Sequence, residues 1–319
     1  MVVCVTTESV ALPQPQRRPG GRKLSRRARR ELAAYLFISP WIVGFLVFTA
    51  GAMLFSLGLT VFETDLLTGF KYVGLRNIVR LSKDPLFLKS LGVTFRFVAM
   101  AVPLEVIVAL AIALLLNSDK VLFTGVWRTL YFLPSIVSGI AVSLLWLWIF
   151  NPDFGLFNYL LGLAGITGPR WVYSEQWAIP SFVIMSVWGA GGNMLLYLAG
   201  LQGIPTALYE AASIDGANSW TRFRHVTIPM LSPTIFFNLV MTLIGAFQVF
   251  TQAYAMTSGG PNNATLTVVL YLYRKAFQQL YFGYASVIAW ALFVIIMIFT
   301  LLMLRSSELW VYYEGEVRK

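Results

Sequence analysis

Long apolar runs, separated by short polar segments, fill the sequence between residues 32 and 304. Residues 32–62, for example, contain no Asp, Glu, Lys or Arg. A helix needs about 20 apolar residues to cross about 30 Å of hydrocarbon, so runs of this length predict membrane-spanning helices. The pattern predicts six of them, at residues 35–59, 91–116, 129–150, 178–200, 233–257 and 284–304.

One apolar stretch is too long for a single crossing. Residues 225–273 carry no charged side chain apart from His225. The Ser, Gly, Pro and Asn residues at 258–263 form a strong chain breaker, and too few apolar residues follow them to cross back. We therefore predict one crossing, followed by an interfacial segment that ends at Arg274 and Lys275.

The composition also indicates a membrane protein. Apolar residues make up 58% of the chain and charged residues 12%, whereas an average soluble domain is about 45–50% apolar and about 25% charged. So few charges cannot cover a surface in water, which excludes a soluble enzyme, a secreted disulfide scaffold and a disordered chain. The predicted fold class is an all-α membrane protein with six transmembrane helices.

The chain has few residues that bind metals or act as nucleophiles. Cys4 is the only cysteine and His225 the only histidine, so we predict no disulfide, no metal site and no Ser-His-Asp arrangement. The sequence also lacks the glycine-rich loop, ending in Gly-Lys-Ser or Gly-Lys-Thr, that holds nucleotide phosphates. An enzyme embedded in the membrane is therefore disfavoured.

The distribution of charge predicts the orientation in the membrane. The formal net charge is +10, and eight of the 24 Lys and Arg residues precede residue 31, directly before the first apolar run. This position predicts attraction to anionic lipid and argues against nucleic-acid binding. With the amino terminus inside, cytoplasmic segments hold fifteen basic residues and outer loops hold eight. The positive-inside rule therefore places both termini in the cytoplasm.

This topology divides the chain into three parts. Residues 1–31, rich in Pro, Gln, Gly and Arg, are predicted to form a disordered basic cytoplasmic tail. Residues 32–304 form the transmembrane domain, and residues 305–319 form a second cytoplasmic tail.

The cytoplasmic connection between the fourth and fifth predicted helices spans about thirty residues, although helix connections usually take only 2–8. Residues 206–214 contain good helix formers. Asp215 and Gly216 form a turn signal, and Asn218 or Ser219 can cap a second helix. We expect Pro229 and Pro233 to end that helix and to start the fifth span, which gives a helix-turn-helix under the membrane.

The first helix of this loop carries Glu210 beside the small residues Ala211 and Ala212. Small residues let another surface approach closely, so this helix can dock into a groove on a cytoplasmic partner. An ordinary amphipathic reversal at the lipid interface fits the same spacing. The spacing alone does not decide between these two interpretations.

The motif itself resembles a known family. Glu210-Ala211-Ala212, followed by Gly216 and later by Ile228-Pro229, resembles the EAA signature in the membrane subunits of ABC importers. Longer strings resemble the carbohydrate-type permeases of binding-protein-dependent systems, a family that includes maltose and glycerol-phosphate types. The resemblance covers about residues 35–304 and includes outer-loop strings at residues 74–77, 84–87, 151–156 and 257–261. One departure is Thr227, where the family often has Leu in the segment before the proline.

The resemblance implies that the chain forms half of a translocation pathway in a prokaryotic plasma membrane. It implies docking of the loop helix on a separate ATP-binding subunit, where Glu210 pairs with a basic group and Ala211 and Ala212 fit a groove. Asp215 and Gly216 would make the turn. The implied partners are a second permease chain, forming a heterodimer, two ATP-binding subunits and an external solute-binding protein. ATP and Mg would be bound by the partner, with no cofactor in this chain.

A solute path is predicted from polar and irregular positions near the middle of the spans. Glu105, Trp188, Asn193 and Gln248 are the candidates, because sugar rings stack on Trp and amides bond hydroxyl groups. Broken or Gly-rich helices at the midplane often mark transport sites. Close helix packing is the alternative explanation of these positions.

Two functions remain open from the sequence. The first is the permease subunit of an ATP-driven importer for a sugar, such as an oligosaccharide, with a polyol or glycerol phosphate as the alternative solute. The spans contain no Lys or Arg cluster to hold a phosphate, which favours a neutral sugar. The second is a self-sufficient secondary carrier for a small polar solute, with Glu105 as its proton site.

Overall fold

The computed structural model describes residues 26–64, 69–118 and 120–312, and most of these residues are helical. The chain divides into two units, residues 1–55 and residues 56–319. Most of the predicted amino-terminal tail, up to residue 25, lies outside the described residues. Residues 313–319 of the predicted carboxyl-terminal tail lie outside them as well.

The first unit contains helix α1 (Arg26–Gly44) and a π-helical segment (Phe45–Gly51) that leads into α2 (Ala52–Leu59). Helix α1 therefore begins inside the segment predicted to be disordered. Arg27 Nε donates to Glu31 Oε1 at 3.1 Å, an exposed pair one helical turn apart. Such pairs contribute only about 0.3–0.5 kcal/mol, so the good helix formers of this segment matter more.

The second unit contains the remaining elements of the described chain. In order these are β1 (Phe62–Glu63), β2 (Lys71–Tyr72), α3 (Arg76–Ser82), α4 (Pro85–Leu116), α5 (Thr124–Ile136), α6 (Gly139–Ile149), α7 (Leu156–Leu163), a 3₁₀ turn (Trp171–Tyr173), α8 (Ala178–Trp188), α9 (Gly191–Gln202), α10 (Thr206–Ile214), α11 (Ser219–Arg222), α12 (Ile228–Phe247), α13 (Val268–Tyr273) and α14 (Phe282–Trp310). The antiparallel hairpin of β1 and β2, with Phe62 opposite Tyr72, was not predicted.

Four helical stretches of the described chain are long and apolar enough to cross a membrane. They are Ala33–Leu59, Pro85–Leu116, Ser219–Phe247 and Phe282–Trp310. Two further pairs reach this length only if each bent pair is one span: α5 with α6, bent by 101°, and α8 with α9, bent by 44°. By length and composition the described residues therefore hold four to six candidate spans.

The two bent pairs coincide with the predicted segments 129–150 and 178–200. Between α5 and α6, Val137 is extended, with ψ of 142°, and Ser138 with ψ of 130° opens the next helix. Between α8 and α9 the chain turns at Gly189 and Ala190. Apolar runs identify the length of a span, but they do not show where its helix breaks.

The helix that enters the fifth predicted segment does not stop at its prolines. α11, a π-helical segment (Phe223–Thr227) and α12 form one uninterrupted helix, so the prediction that Pro229 and Pro233 end a separate helix is wrong. Pro229 lies in the first turn of α12, where its missing N–H is tolerated. Pro233 leaves the Pro229 carbonyl without its usual donor, and Ser232 Oγ donates to that carbonyl at 2.7 Å.

The same helix ends at Phe247, ten residues before the predicted boundary. Residues 248–250 are not helical, and a π-helical segment (Ala253–Thr257) follows them.

Helix α4 lies at the centre of the second unit and packs against α8, α9, α12 and α13. α9 and α12 also approach each other closely. A Cβ on Gly200 would lie 2.7 Å from Leu231 Cδ1 and 2.9 Å from Thr234 Oγ1, so this contact requires glycine. Close approach through small residues is the usual way in which helices associate in lipid.

Asp84 joins three helices at the amino end of α4. Its Oδ1 accepts hydrogen bonds from the N–H groups of Leu86 at 2.9 Å and Phe87 at 3.3 Å, which caps the helix. Its Oδ2 accepts from the hydroxyls of Tyr271 in α13 and Tyr284 in α14, each at 2.5 Å. One carboxylate thus satisfies four donors.

The surroundings of Asp84 shift the pKa of its carboxyl group and the pKa of the Tyr271 hydroxyl. Burial by itself would raise the pKa of the Asp84 carboxyl, but the bonds from the two tyrosines and two N–H groups outweigh it and hold the pKa below its ordinary value. Burial, followed by the neighbouring carboxylate, raises the pKa of Tyr271, which keeps its hydroxyl a donor. The guanidinium carbon of Arg80 also lies 4.7 Å from the centroid of the Tyr284 ring, which is within the range of a cation–π contact.

We expect Asp84→Asn to keep the helix cap but to weaken the bonds from the two tyrosines. The free energy of unfolding at pH 7 should fall by about 1–3 kcal/mol, measured as thermal unfolding in detergent. Because the folded-state pKa is depressed, the stabilisation is present above the ordinary pKa and is lost as pH falls through the folded-state value. The difference between variant and wild type should therefore shrink in acid.

Asp153→Asn, at an exposed aspartate, is the matched control and should unfold like wild type. If Asp84→Asn also unfolds like wild type at pH 7, the hydrogen bonds from Tyr271 and Tyr284 to Asp84 do not stabilise the fold.

Candidate functional site

The loop between α9 and α12 ends its first helix, α10, in a defined hydrogen-bonded motif. The N–H of Ala217 donates to the Ala212 carbonyl at 2.9 Å, and the N–H of Gly216 donates to the Ser213 carbonyl at 3.1 Å. These two bonds form a Schellman motif. Gly216 has φ of +78°, in the left-handed region that glycine adopts without the cost of a Cβ. The turn therefore requires the glycine that follows Glu210 by six residues.

The second helix of the loop begins at a side-chain cap. Asn218 Oδ1 accepts from the Thr221 N–H at 2.8 Å, which selects Asn218 rather than Ser219 as the cap. Across the turn, the hydroxyls of Tyr209 and Thr227 lie 3.1 Å apart and share a hydrogen bond. This bond attaches α10 to the long helix that continues into α12.

Five exposed or half-buried residues of this loop form what we call the loop surface. It consists of Glu210, Ala211, Ala212, Ile214 and Trp220. Ile214 is 87% exposed and Trp220 is 67% exposed. In the described part of the chain, no basic side chain forms an ion pair with Glu210. Asp215 is exposed at the end of α10, where its N–H donates to the Ala211 carbonyl at 3.0 Å.

The loop surface thus combines an unpaired carboxylate, small residues and two apolar side chains on a braced turn. Exposed apolar groups of this kind mark a protein or membrane contact.

Three of the four predicted solute-path residues line one cavity. Glu105, Asn193 and Gln248 surround a space of about 400 Å³ between α4, α8, α9 and α12. Asn193 Nδ2 donates to Thr242 Oγ1 at 3.1 Å, and Ser186, whose Oγ donates to the Val183 carbonyl at 2.9 Å, lines the cavity with Glu105. The cavity therefore carries both acceptors and donors for a polar molecule.

Trp188 lies outside this cavity. Its ring packs edge-on against Trp146, with centroids 5.7 Å apart. The aromatic residues that do line the cavity are Phe97 and Phe250. Phe250 is held by stacking on Tyr254, with centroids 5.3 Å apart.

Several of the cavity residues are not predictable from the sequence alone. Phe97, Phe250, Thr251 and Gln252 were not selected, although all four line the cavity with Gln248. The helix break at residues 248–250 brings three of them to the cavity. Gln248 and Gln252, two polar residues four positions apart in an apolar run, are the sequence feature that points to this part of the cavity.

The described residues contain no group of three or more His, Cys, Asp or Glu side chains that would suit a metal ion. The two candidate sites offer hydrogen-bonding and apolar groups together with the carboxyl groups of Glu105 and Glu210.

We expect Gly216→Ala to strain the loop turn, because its backbone is left-handed while its surroundings are open. The local cost should be about 1 kcal/mol. Tryptic cleavage after Arg222 and Arg224 should then become about fivefold faster, since the loop opens more often. Gly125→Ala is the control, because its φ is ordinary and no atom lies within 4 Å of its added Cβ. Equal cleavage rates in the two variants would contradict the role of the turn.

Comparison with known proteins places the fold and both sites in context. Residues 85–309 match the family model described as binding-protein-dependent transport system inner membrane component. The chain is 44% identical to a probable ABC transporter permease protein, YesP, from Bacillus subtilis, over 92% of this chain and 96% of that one. It is 37% identical to the lactose transport system permease protein LacF from Rhizobium radiobacter, over 87% and 95% of the two chains.

Two solved structures share the fold. A chain from a bacterial alginate ABC transporter in complex with an alginate pentasaccharide-bound periplasmic protein has a TM-score of 0.77 at 24% identity. The match covers 89% of this chain and 96% of that chain. A second alginate importer structure has a TM-score of 0.78 at 23% identity, over 89% and 97%.

The relatives are permease proteins, that is, membrane components of transport systems rather than enzymes. The match covers most of the chain, including the loop and the cavity. The chain therefore belongs to the binding-protein-dependent transport system inner membrane components, the multi-pass ABC transporter permeases of the prokaryotic plasma membrane.

Proposed function

We propose that this permease forms half of the translocation pathway of an ATP-driven importer for a sugar or related solute. The observation that carries the proposal is the exposed loop surface, in which an unpaired Glu210 stands beside small residues on a turn fixed by Gly216. In this proposal a separate subunit binds ATP and Mg and hydrolyses the ATP. Its basic group pairs with Glu210, while Ala211 and Ala212 allow close contact.

The proposed coupling runs through one continuous helix. Ser219–Phe247 is a helix of 29 residues, which is about 43 Å long at 1.5 Å per residue. It begins in the loop, where Thr227 bonds Tyr209 of α10, and it reaches the cavity at Thr242. Movement of the loop by a closing ATP-binding subunit would therefore be transmitted directly to the cavity wall.

The proposed topology has six crossings with both termini inside, which makes the loop cytoplasmic. The excess of basic residues in the predicted cytoplasmic segments, fifteen against eight, supports this orientation. Each bent helix pair then counts as one crossing. A partner ATP-binding subunit is cytoplasmic by necessity, because it uses cellular ATP.

The solute we propose is a neutral sugar that passes through the cavity. The names of relatives point to saccharides: lactose for LacF and arabinooligosaccharides for AraP of Bacillus subtilis, which is 32% identical over 87% of this chain. Asn193 and Gln248 suit hydroxyl groups, and Phe250 takes the stacking role first expected of Trp188. No Lys or Arg is among the cavity residues, which disfavours a sugar phosphate.

The proposed assembly contains a second permease subunit, two ATP-binding subunits and an extracytoplasmic solute-binding protein. The family description names a binding protein, and the alginate transporter was solved with its periplasmic protein. A secondary carrier that uses Glu105 as a proton site is the competing function, because Glu105 lines the cavity. Uptake by this chain alone in vesicles, without ATP, would support the carrier instead.

We expect Glu210→Lys to abolish solute-stimulated ATP hydrolysis in the purified complex and to weaken co-purification of the ATP-binding subunit. The reason is that the reversed charge repels the basic group expected opposite Glu210. Glu175→Lys, a charge reversal at another exposed glutamate, is the control and should leave coupling unchanged. Wild-type coupling in Glu210→Lys would count strongly against the proposal.

We expect Gln248→Ala to reduce solute uptake roughly fivefold, through loss of about 1 kcal/mol of hydrogen bonding to the solute. Gln202→Ala, at an exposed position outside the cavity, should change uptake less than twofold. Both rates would be measured in proteoliposomes with the complete complex. Equal uptake by the two variants would remove Gln248 from the proposed path.

A further inference from the structure

Helix α7, which follows α6, has one apolar face that the chain leaves uncovered. Residues 154–169, which include all of α7, contain no Asp, Glu, Lys or Arg. Phe157 and Leu161 pack against the buried core. The exposed large side chains of α7 recur at helical spacing and so lie on one face of the helix. They are Leu156, Tyr159, Leu160 and Leu163, and we call them the α7 face.

A second cavity opens beside this helix. It has a volume of about 680 Å³ and lies between the end of α6, the turn at residues 152–154 and α7. We call it the α7 cavity. Its lining includes the carboxylate of Asp153 and the exposed rings of Trp148, Phe154 and Tyr159, but no Lys or Arg. In the part of the chain that the structure describes, no basic side chain forms an ion pair with Asp153. The α7 cavity therefore presents negative charge beside aromatic rings.

The walls of the α7 cavity are held in place by Asn158. Its Nδ2 donates to the carbonyls of Pro152 at 2.9 Å and Pro169 at 3.3 Å. Its Oδ1 accepts from Trp171 Nε1 at 2.6 Å. The Asn158 amide is thus used to join three segments of the protein. Asp153 is the only lining residue with a charged group that can bind a ligand.

The α7 cavity lies at one boundary of the proposed membrane crossing. α6 is the second half of the bent α5–α6 pair and ends at Ile149, directly after Trp148. Trp and Tyr concentrate at the interface between membrane and water. A helix with an apolar face at this depth lies in the plane of the interface, with that face toward the acyl chains. In the proposed topology this interface belongs to the outer leaflet.

A water-soluble partner fits the α7 face poorly. The solute-binding protein of the proposed assembly must leave after each delivery, and the α7 face would then meet water at a cost of about 25 cal/mol per Å² of apolar area. Lipid covers the face at every stage. The charge of Asp153 repels an anionic headgroup, whereas an ammonium group is attracted both to a carboxylate and to the faces of aromatic rings.

We infer that the α7 cavity binds the ammonium group of an outer-leaflet phospholipid with an ethanolamine headgroup. The ammonium group pairs with Asp153 and lies against the rings of Trp148 and Tyr159, while the α7 face contacts the acyl chains. The inference takes from the proposed function only the crossing of the membrane by α5 and α6 and its orientation.

The test is lipid photolabelling of the complete complex in vesicles. The vesicles contain a phospholipid with a diazirine on its acyl chain and either an ethanolamine or a glycerol headgroup. After irradiation, mass spectrometry identifies the labelled peptides. We expect the ethanolamine lipid to label residues 156–163 about threefold more than the glycerol lipid does. Asp153→Asn should remove this preference, whereas Glu175→Gln, at an exposed glutamate outside the α7 cavity, should keep it.

Three outcomes would overturn the inference. If α7 is not labelled, or if added solute-binding protein prevents its labelling, a protein rather than lipid covers the α7 face. If the two lipids label the wild type equally, α7 contacts an adventitious lipid only. If free ethanolamine removes the preference, the α7 cavity takes a soluble amine and not a lipid.

Trp148→Leu is the second variant if Asp153→Asn does not assemble. It keeps an apolar side chain but removes the aromatic ring, so the preference for the ethanolamine lipid should fall, and an unchanged preference would contradict the inference. Thermal unfolding of Asp153→Asn in detergent without phospholipid does not report on this site. Coupling in Glu210→Lys is also independent of the labelling, so the proposed function and this inference can fail separately.

Discussion

The absence of water in the hydrocarbon of a membrane governs this structure. A peptide group there must find its hydrogen-bond partner within the protein, so uninterrupted helices are the default. α4 and α14 follow this rule over 32 and 29 residues. The helix from Ser219 to Phe247 follows it through two prolines, because Ser232 replaces a lost donor.

Departures from the rule occur at residues 137–138, 189–190 and 248–250. Contacts of Gly139 with Thr251, and the place of Asn193 and Gln248 in the cavity wall, put these breaks next to one cavity. These three breaks in the helical backbone thus lie next to the cavity through which we propose that the solute passes.

The continuous helix also connects the two candidate sites. Near its start, Thr227 is hydrogen-bonded to Tyr209 of α10 in the loop. Near its end, Thr242 and Ala246 line the cavity. A hinge between the two sites would absorb motion, but the chain stays helical from Ser219 to Phe247. The Asn193–Thr242 bond and the close contact at Gly200 attach α9 to the same helix. A displacement at the loop would therefore change the cavity without any long chain of intermediate contacts.

Much of this architecture was readable from the sequence, and the exceptions have physical reasons. Apolar runs located the long helices, and the loop composition identified α10, its turn at Gly216 and a cap at Asn218 or Ser219, because these features depend on local chemistry. The breaks were harder to locate. Pro229 and Pro233 suggested a helix end, yet tertiary contacts and one serine hydroxyl satisfy the backbone around them. Conversely, Val137 and Ser138 gave little local signal for a 101° bend. Glu105, Asn193 and Gln248 were selected for their polarity within apolar runs, whereas Phe250 looked like any core aromatic until the fold placed it in the cavity.

The central claim is that the loop surface faces the cytoplasm and is covered there by an ATP-binding subunit. Ile214→Cys in a Cys4→Ser background tests it most directly, since Cys4 is the only native cysteine and Ile214 is 87% exposed. A membrane-impermeant thiol reagent should label this cysteine only in inside-out vesicles, and bound ATP-binding subunits should protect it. Labelling only in right-side-out vesicles, or labelling that the subunits do not affect, would contradict the account.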